Sequence, residues 1–214
     1  MRYQRILAAV VFLAAGAGLS FLQTPSLQVS DAQQQAEPLT VDTAVVEQLS
    51  ALQPAIEKEV LANTPINIED FGGWPALHTK IGTIRVPDAG IECDVIYGDS
   101  NSDLYKGACF YPTPKTRIPG GGLQMLLAAH NNAHFHTLGG VQVGSKVYID
   151  TFYGSYEYEV THTEVVSATD STKYDLDKTE EELIMYTCYP FDMLSATPYR
   201  FFVYCKPTYA RPIQ

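Results

Sequence analysis

The chain has 214 residues, with 14 Lys and Arg against 24 Asp and Glu, a formal net charge of −10, and 46% hydrophobic and 18% charged residues. This describes one ordinary globular domain with length to spare, and its acidity excludes a protein that grips a phosphate backbone, which needs a basic face to displace counterions. Nucleic acid is therefore not an expected partner, and a core of this size does not depend on the four cysteines as a disulfide framework.

At the N-terminus, Arg2 and Arg5 precede an uncharged apolar run over residues 6–22. A basic flank followed by such a run is the pattern of an exported chain whose start stays in the cytoplasm. Two readings fit: a signal peptide cut near Ala15-Gly16-Ala17, or an uncleaved anchor close to the shortest length that spans a bilayer. The run continues past that site through Leu19, Phe21 and Leu22, which favours the anchor. Residues 1–22 are thus expected to be a single-pass signal anchor in the cell membrane, with the rest of the chain extracellular.

Residues 23–77 divide into a linker and a helix. The stretch 23–40 is rich in Gln, Ser, Thr, Pro and Ala, too polar to pack and suited to a tether. Beyond it Val45, Leu49, Leu52, Ile56 and Val60 recur at helical spacing, and Pro54 is expected to kink or interrupt that helix.

From residue 78 to 214 the pattern becomes short β-type runs broken by Gly and Pro. Strands are expected at 81–86, 91–97, 123–129, 146–153, 156–166, 183–187 and 199–206, an all-β barrel or sandwich. The clearest local unit is a hairpin over 147–160, with Gly154-Ser155 as its expected turn. The 14 tyrosines are accounted for by β-propensity before any ligand is invoked.

Three residues at strand ends carry the chemistry. Cys188 closes an apolar run and is followed by Tyr189-Pro190, so its strand stops there and presents its last side chains at a rim. His130 follows the apolar run 123–129 in the same way, and Arg200 is a lone cation at the start of an otherwise apolar strand. If the strands of Cys188 and Arg200 are neighbours, a thiol and a guanidinium face one cleft. A nearby cation favours the thiolate, a fixed fork of donors suits a developing oxyanion, and His130 supplies a mobile proton. Taken singly, each residue is as well explained by a structural Cys, a satisfied rim His, or an Arg serving acidic loops.

Together they resemble the sortases, membrane-anchored cysteine transpeptidases of the bacterial cell surface. The resemblance covers roughly residues 78–207. It includes Ile81-Gly82-Thr83-Ile84-Arg85-Val86-Pro87, similar to the family's opening strand, and Ala129-His130-Asn131-Asn132 with Val143-Gly144-Ser145-Lys146-Val147, similar to its histidine segment. Thr187-Cys188 resembles the family's nucleophile motif, and Arg200 follows it as the family's arginine does. The resemblance implies a closed eight-stranded β-barrel with short helices. It also implies attack by Cys188 on a Leu-Pro-x-Thr-Gly-like sorting signal of an exported protein, between Thr and Gly. His130 would move the proton and Arg200 would hold the oxyanion. The thioacyl group would pass to an amine, on a cell-wall precursor or a pilin lysine. A hydrolytic cysteine peptidase and a non-catalytic surface-binding domain on the same fold are the competing readings.

The segment between His130 and Cys188 leaves no room for the helical insertion of class B. Asp70-Phe71-Gly72-Gly73-Trp74-Pro75 lacks the Asp-Pro-aromatic order of a class C lid. A class D-like enzyme is the favoured reading, with class C as the alternative. No cofactor is expected. The spacing of His130, His134 and His136 does not favour zinc. The acidic residues Asp170, Asp175, Asp177, Glu180, Glu181 and Glu182 read as a solvated loop ahead of the calcium site that a similar loop forms in some sortases. Cys93 and Cys109 lie in adjacent β-type runs outside the membrane, where a disulfide between them is permitted, and Cys205 is expected to pack in its strand.

Overall fold

A computed structural model describes residues 43–191, 193 and 197–214. The expected anchor and linker lie outside these residues. Among the described residues no helix is long and apolar enough to cross a membrane.

The first element, α1 (Thr43–Ala62), is continuous across Pro54, so the expected interruption does not occur. Pro54 removes one backbone donor, but the Gln, Ala, Leu and Glu residues around it are strong helix formers. Val46, Leu52, Ile56 and Val60 of α1 are exposed. Lys58 ties the helix to the barrel, its Nζ lying 2.7 Å from the Glu157 carboxylate and over the Tyr209 ring.

Eight strands follow: β1 (Thr79–Val86), β2 (Ile91–Tyr97), β3 (Ala108–Phe110), β4 (Gln124–Ala128), β5 (Lys146–Thr151), β6 (Gly154–Ser167), β7 (Glu182–Tyr189) and β8 (Tyr199–Tyr209). They close into a barrel in the order β1-β2-β3-β4-β7-β8-β6-β5, which leaves no open sheet edge. The seven sequence runs correspond to seven of these strands. The eighth, β3, has only three residues, too few to show a period of two. A four-residue helix, α2 (Asn101–Leu104), occupies the β2–β3 connection.

Strand alternation separates two apolar groups. Inward residues such as Ile84, Val95, Phe110, Met125, Leu127, Val147, Ile149, Met185 and Val203 fill the barrel. Ile66 and Ile68, from the segment ahead of the barrel, join this core, and Ile66 pairs with Ile213 near the C-terminus. On the outer wall, Leu126, Val166, Ile184, Phe202 and Tyr204 form a second cluster, covered in part by Tyr174 and Leu176 of the β6–β7 connection. In β1 the chain approaches β5 so closely that a Cβ on Gly82 would lie 2.1 Å from the Asp150 carbonyl oxygen. Only glycine fits there.

The β5–β6 hairpin turns two residues earlier than the sequence suggested. Thr151 pairs with Gly154 and Asp150 with Ser155, so the turn residues are Phe152 and Tyr153. The Thr151 hydroxyl supplies the turn's hydrogen bonds, accepting from the Gly154 and Tyr153 amides and donating to the Gly154 carbonyl. Tyr153 meanwhile is drawn into the core with Tyr156 and Tyr158.

Three buried phenols need partners. Tyr153 donates to the Pro119 carbonyl, Tyr156 to the Arg211 carbonyl, and Tyr158 to Glu181 at 2.7 Å. The Glu181 carboxylate also accepts from the amides of Gly120 and Gly122, so one side chain satisfies three donors and fastens the β3–β4 loop to the foot of β7. Glu181→Ala orphans the wholly buried Tyr158 hydroxyl and should destabilise the fold by about 3 kcal/mol, with Glu181→Gln intermediate. Urea unfolding of the three proteins measures this.

Candidate active site

The parallel pairing of β4 with β7 decides where the chemistry lies. Gln124 through Ala128 run alongside Glu182 through Tyr186, so the C-terminal ends of both strands reach the same end of the barrel. The antiparallel pairing of β7 with β8 brings the start of β8 to that end, with Cys188 directly opposite Arg200. His130 lies two residues beyond the end of β4. Parity then selects the face. Leu126 of β4, Ile184 and Tyr186 of β7, and Phe202 and Tyr204 of β8 all belong to the outer-wall cluster. Cys188 and Arg200 follow at the same two-residue spacing. Cys188, Arg200 and His130 line one cleft of 480 Å³ on the outside of the barrel wall. Tyr111, Tyr186 and Phe202 give this cleft aromatic surface, Leu126 and Leu176 aliphatic surface, and Ser167, Asp170 and Ser171 a polar side.

Each of the three has a distinct local setting. Arg200 is held through one nitrogen: Nη1 donates to the carbonyls of Thr197 (3.0 Å) and Tyr199 (2.8 Å). Its remaining donors, on Nη2 and Nε, make no protein hydrogen bond among the described residues and are available at the cleft. Cys188 is half-buried, and its neighbour Thr187 points the other way, donating from Oγ1 to the Ala129 carbonyl at 2.7 Å. That buried bond clamps the Cys188 end of β7 to the residue before His130. Asn131 makes a second clamp, donating from Nδ2 to the carbonyls of Pro190 and Met193 at 3.0 Å each. The His130 imidazole makes no hydrogen bond among the described residues, and its Nε2 is buried. The Tyr105 ring lies against it, centroids 5.1 Å apart.

The other thiols are differently placed. Burial pushes Cys93 up to about 11 and Cys109 up to about 12, and raises Cys205 as well, so all three stay protonated at neutral pH. Cys93 and Cys109 are free, and the register explains why they do not bond. Val95 opposes Ala108 and Ile96 opposes Cys109, so Cys93, in phase with Val95, points to the opposite face of the sheet from Cys109. Burial also lifts the Tyr186 hydroxyl to about 12, against the opposing pull of Arg200, which removes it as a proton carrier near neutrality.

The polar residues weighed as metal ligands have other engagements. His134 Nε2 faces the Tyr105 carbonyl oxygen at 3.3 Å, and His136 Nδ1 faces the Ala133 carbonyl oxygen. In the acidic connection Asp170 caps Thr172, Asp175 accepts from the Asp177 amide, and Glu182 accepts from Gln124 and Lys178. Among the described residues no three His, Cys, Asp or Glu side chains converge on a common point. None of the residues lining the cleft comes from the segment 70–75.

The sequence reasoning missed α2 and its support. Ser100 and Asp103 form a reciprocal capping box, and His78 Nδ1 lies 2.6 Å from the buried Asp103 carboxylate. Those two hydrogen bonds, Ser100 first, hold Asp103 at about 2, below the ordinary 3.8. A carboxyl lowered by folding contributes stability that is complete above its unfolded pKa and disappears as pH falls through the folded one. The deficit of Asp103→Asn should therefore be full above pH 4 and vanish towards pH 2, measured as unfolding midpoints against pH. The signal was present as Ser100-Asn101-Ser102-Asp103, a capping-box spacing.

The sortase domain model matches residues 84–208, more than half of the chain. The chain belongs to the sortase family. It is 30% identical over 125 residues to sortase D of Bacillus subtilis (strain 168), an alignment that takes in 58% of this chain and 62% of that protein's length. Among solved structures, sortase C2 of pilus island 1 from group B Streptococcus is 23% identical with a TM-score of 0.55, covering 78% of this chain and 99% of that one. Sortase A of Listeria monocytogenes is 23% identical with a TM-score of 0.53, covering 63% and 91%. These two likenesses concern the fold: the eight-stranded barrel expected from the resemblance is the one observed.

Proposed function

We propose that the chain is a cysteine transpeptidase that cleaves a Leu-Pro-x-Thr-Gly-like sorting signal between Thr and Gly and transfers the acyl group to an amine. The observation that carries this reading is the convergence of Cys188, Arg200 and His130 on one outer-wall cleft, with Cys188 and Arg200 in direct register. The Cys188 thiolate attacks the threonine carbonyl, and the free donors of Arg200 receive the charge that develops on its oxygen. His130 gives its proton to the departing glycine amine. It later takes one from the incoming amine, which forms the new C–N bond as the C–S bond breaks.

The apolar and aromatic lining suits a mostly uncharged sorting peptide. A class D-like enzyme is the favoured assignment, supported by the identity to a sortase D, with class C as the alternative. The acceptor is a cell-wall precursor amine or a pilin lysine. Residues 1–22 are proposed to anchor the enzyme in the cell membrane with the barrel outside, on the strength of the basic flank and apolar run.

The test is mass spectrometry of protein mixed with a sorting peptide, with and without triglycine. A peptide fragment ending in Thr, thioester-linked to Cys188, and a triglycine-ligated product are expected. Products formed only with water would exclude the transferase reading and leave a hydrolytic peptidase. No thioacyl adduct at all would leave a non-catalytic domain.

A further inference from the structure

We propose that Asn131 is a positioning residue: its side-chain amide pins the histidine segment to the turn that follows Cys188, and so holds His130 where it can hand a proton to the leaving amine. The role rests on the thioacyl step of the function proposed above, which a transpeptidase and a hydrolytic peptidase share.

The His130 imidazole makes no hydrogen bond among the described residues, so its placement is set through its main chain. Ahead of it, the Ala129 amide donates to the Tyr186 carbonyl at 3.3 Å, and the Ala129 carbonyl accepts from Thr187 Oγ1 at 2.7 Å. The carbonyl of His130 itself accepts from the amides of Ala133 and Phe135. Behind it, Asn131 is only 6% exposed and uses both hydrogens of Nδ2, on the carbonyls of Pro190 and Met193 at 3.0 Å each. Those carbonyls belong to one turn, in which the Met193 amide donates to the Pro190 carbonyl. A planar amide that donates twice to one turn fixes the orientation of that turn as well as its distance.

Thr187 precedes Cys188, and Pro190 is the second residue after it. Two side-chain ties therefore run from the neighbours of His130 to residues on either side of Cys188. They are not equivalent. The Thr187 tie lies where β4 and β7 already pair, up to Ala128 opposite Tyr186. The Asn131 tie lies beyond both strands, and among the described residues no backbone hydrogen bond joins 130–140 to 190–193. The Phe191 ring packs closely on Gly139, where a Cβ would lie 2.7 Å from it, but an apolar contact lacks the direction of a hydrogen bond. Asn131 thus supplies the directional link between the two segments.

In acylation the Cys188 sulfur forms a C–S bond to the threonine carbonyl carbon, the C–N bond to glycine breaks, and the amine departs with a proton from His130. An amine is too basic to leave without that proton, whereas a thiophenolate leaves as the anion. Both reactions need Cys188 and the donors of Arg200, but only the first depends on where the imidazole stands.

The test is kcat/KM on two substrates with one acyl part, a Leu-Pro-x-Thr-Gly peptide and a Leu-Pro-x-Thr thiophenyl ester. The proteins are the parent, Asn131→Ala and Asn131→Leu, the leucine being close to asparagine in shape but without donors. Both variants should lose about 10²-fold on the peptide, as when a catalytic group is displaced by about an ångström, and less than about threefold on the ester. The ratio of the two constants does not depend on the fraction of protein folded, so it reads positioning even in a less stable variant. His130→Ala should show the same split, only larger. Equal losses on the two substrates, or no loss on the peptide, would overturn the role of Asn131. A parental ratio in Asn131→Leu would overturn it too, by showing that shape suffices without the hydrogen bonds. A parent that cleaves neither substrate would instead count against the thioacyl step itself, and the positioning role would fall with it.

Discussion

Replacing Cys188 with alanine is expected to reduce cleavage of a sorting peptide to background, a fall of about 10⁴-fold or more, as when a covalent nucleophile is removed from other enzymes. The size of the effect follows from the absence of a substitute. The described cleft holds one thiol, and the other three are held protonated by burial. Tyr186, the nearest phenol on the same strand face, is lifted to about 12 and stays neutral. Serine at position 188 should be equally silent, because a hydroxyl needs a far stronger base than one mobile imidazole with no orienting carboxylate bonded to it. Since Cys188 is only half-buried and fills no core position, both variants should unfold at the parent's midpoint. Cleavage assayed by chromatography, beside thermal unfolding, separates lost chemistry from lost fold. Substantial turnover by Cys188→Ala would remove the proposed mechanism.

Replacing Arg200 has the second largest expected effect. Arg200→Ala should lower kcat/KM by about 10²–10³-fold, the usual result of deleting one oxyanion donor. Arg200→Lys should recover little of it. Arginine uses Nη1 to grip the Thr197 and Tyr199 carbonyls and keeps Nη2 and Nε for the cleft. A lysine ammonium is a single point of charge and cannot do both. The side chain is anchored within its own loop, so its loss should appear mainly in kcat. A lysine variant with parental kcat/KM would show that charge alone matters and that the fork does not. The steady-state constants for the three proteins on one peptide decide between these outcomes.

Much of this site was legible in the sequence because strands announce their ends. Tyr189-Pro190 stops β7 immediately after Cys188, Asn131-Asn132 ends the apolar run before His130, and Arg200 interrupts an apolar strand at its first turn of the ladder. Other features were hidden for definite reasons. Strand β3 is three residues long and carries no period. The hairpin turn fell on Phe152 and Tyr153 because a threonine hydroxyl replaced the usual glycine chemistry and the core claimed an aromatic from the turn. Pro54 did not end α1, since one missing donor is a local loss that good helix formers around it can absorb. The pairing of Cys93 with Cys109 looked open because sequence proximity of strands does not reveal phase, and phase puts them on opposite faces.

The sequence by itself determined that Cys188, His130 and Arg200 stand at strand ends and that the class is all-β, because each depends on local periodicity and on residues that cannot continue a strand. Only the tertiary structure decided that β4 lies parallel to β7. That pairing joins segments far apart in the chain and is fixed by closing the barrel, and no local pattern encodes it. From it follow the shared cleft on the outer wall and the Thr187–Ala129 clamp. The negative charge with which the chain is first met excluded nucleic acid but did not foretell this cleft, whose walls are aromatic, aliphatic and polar and which holds Arg200 opposite Cys188.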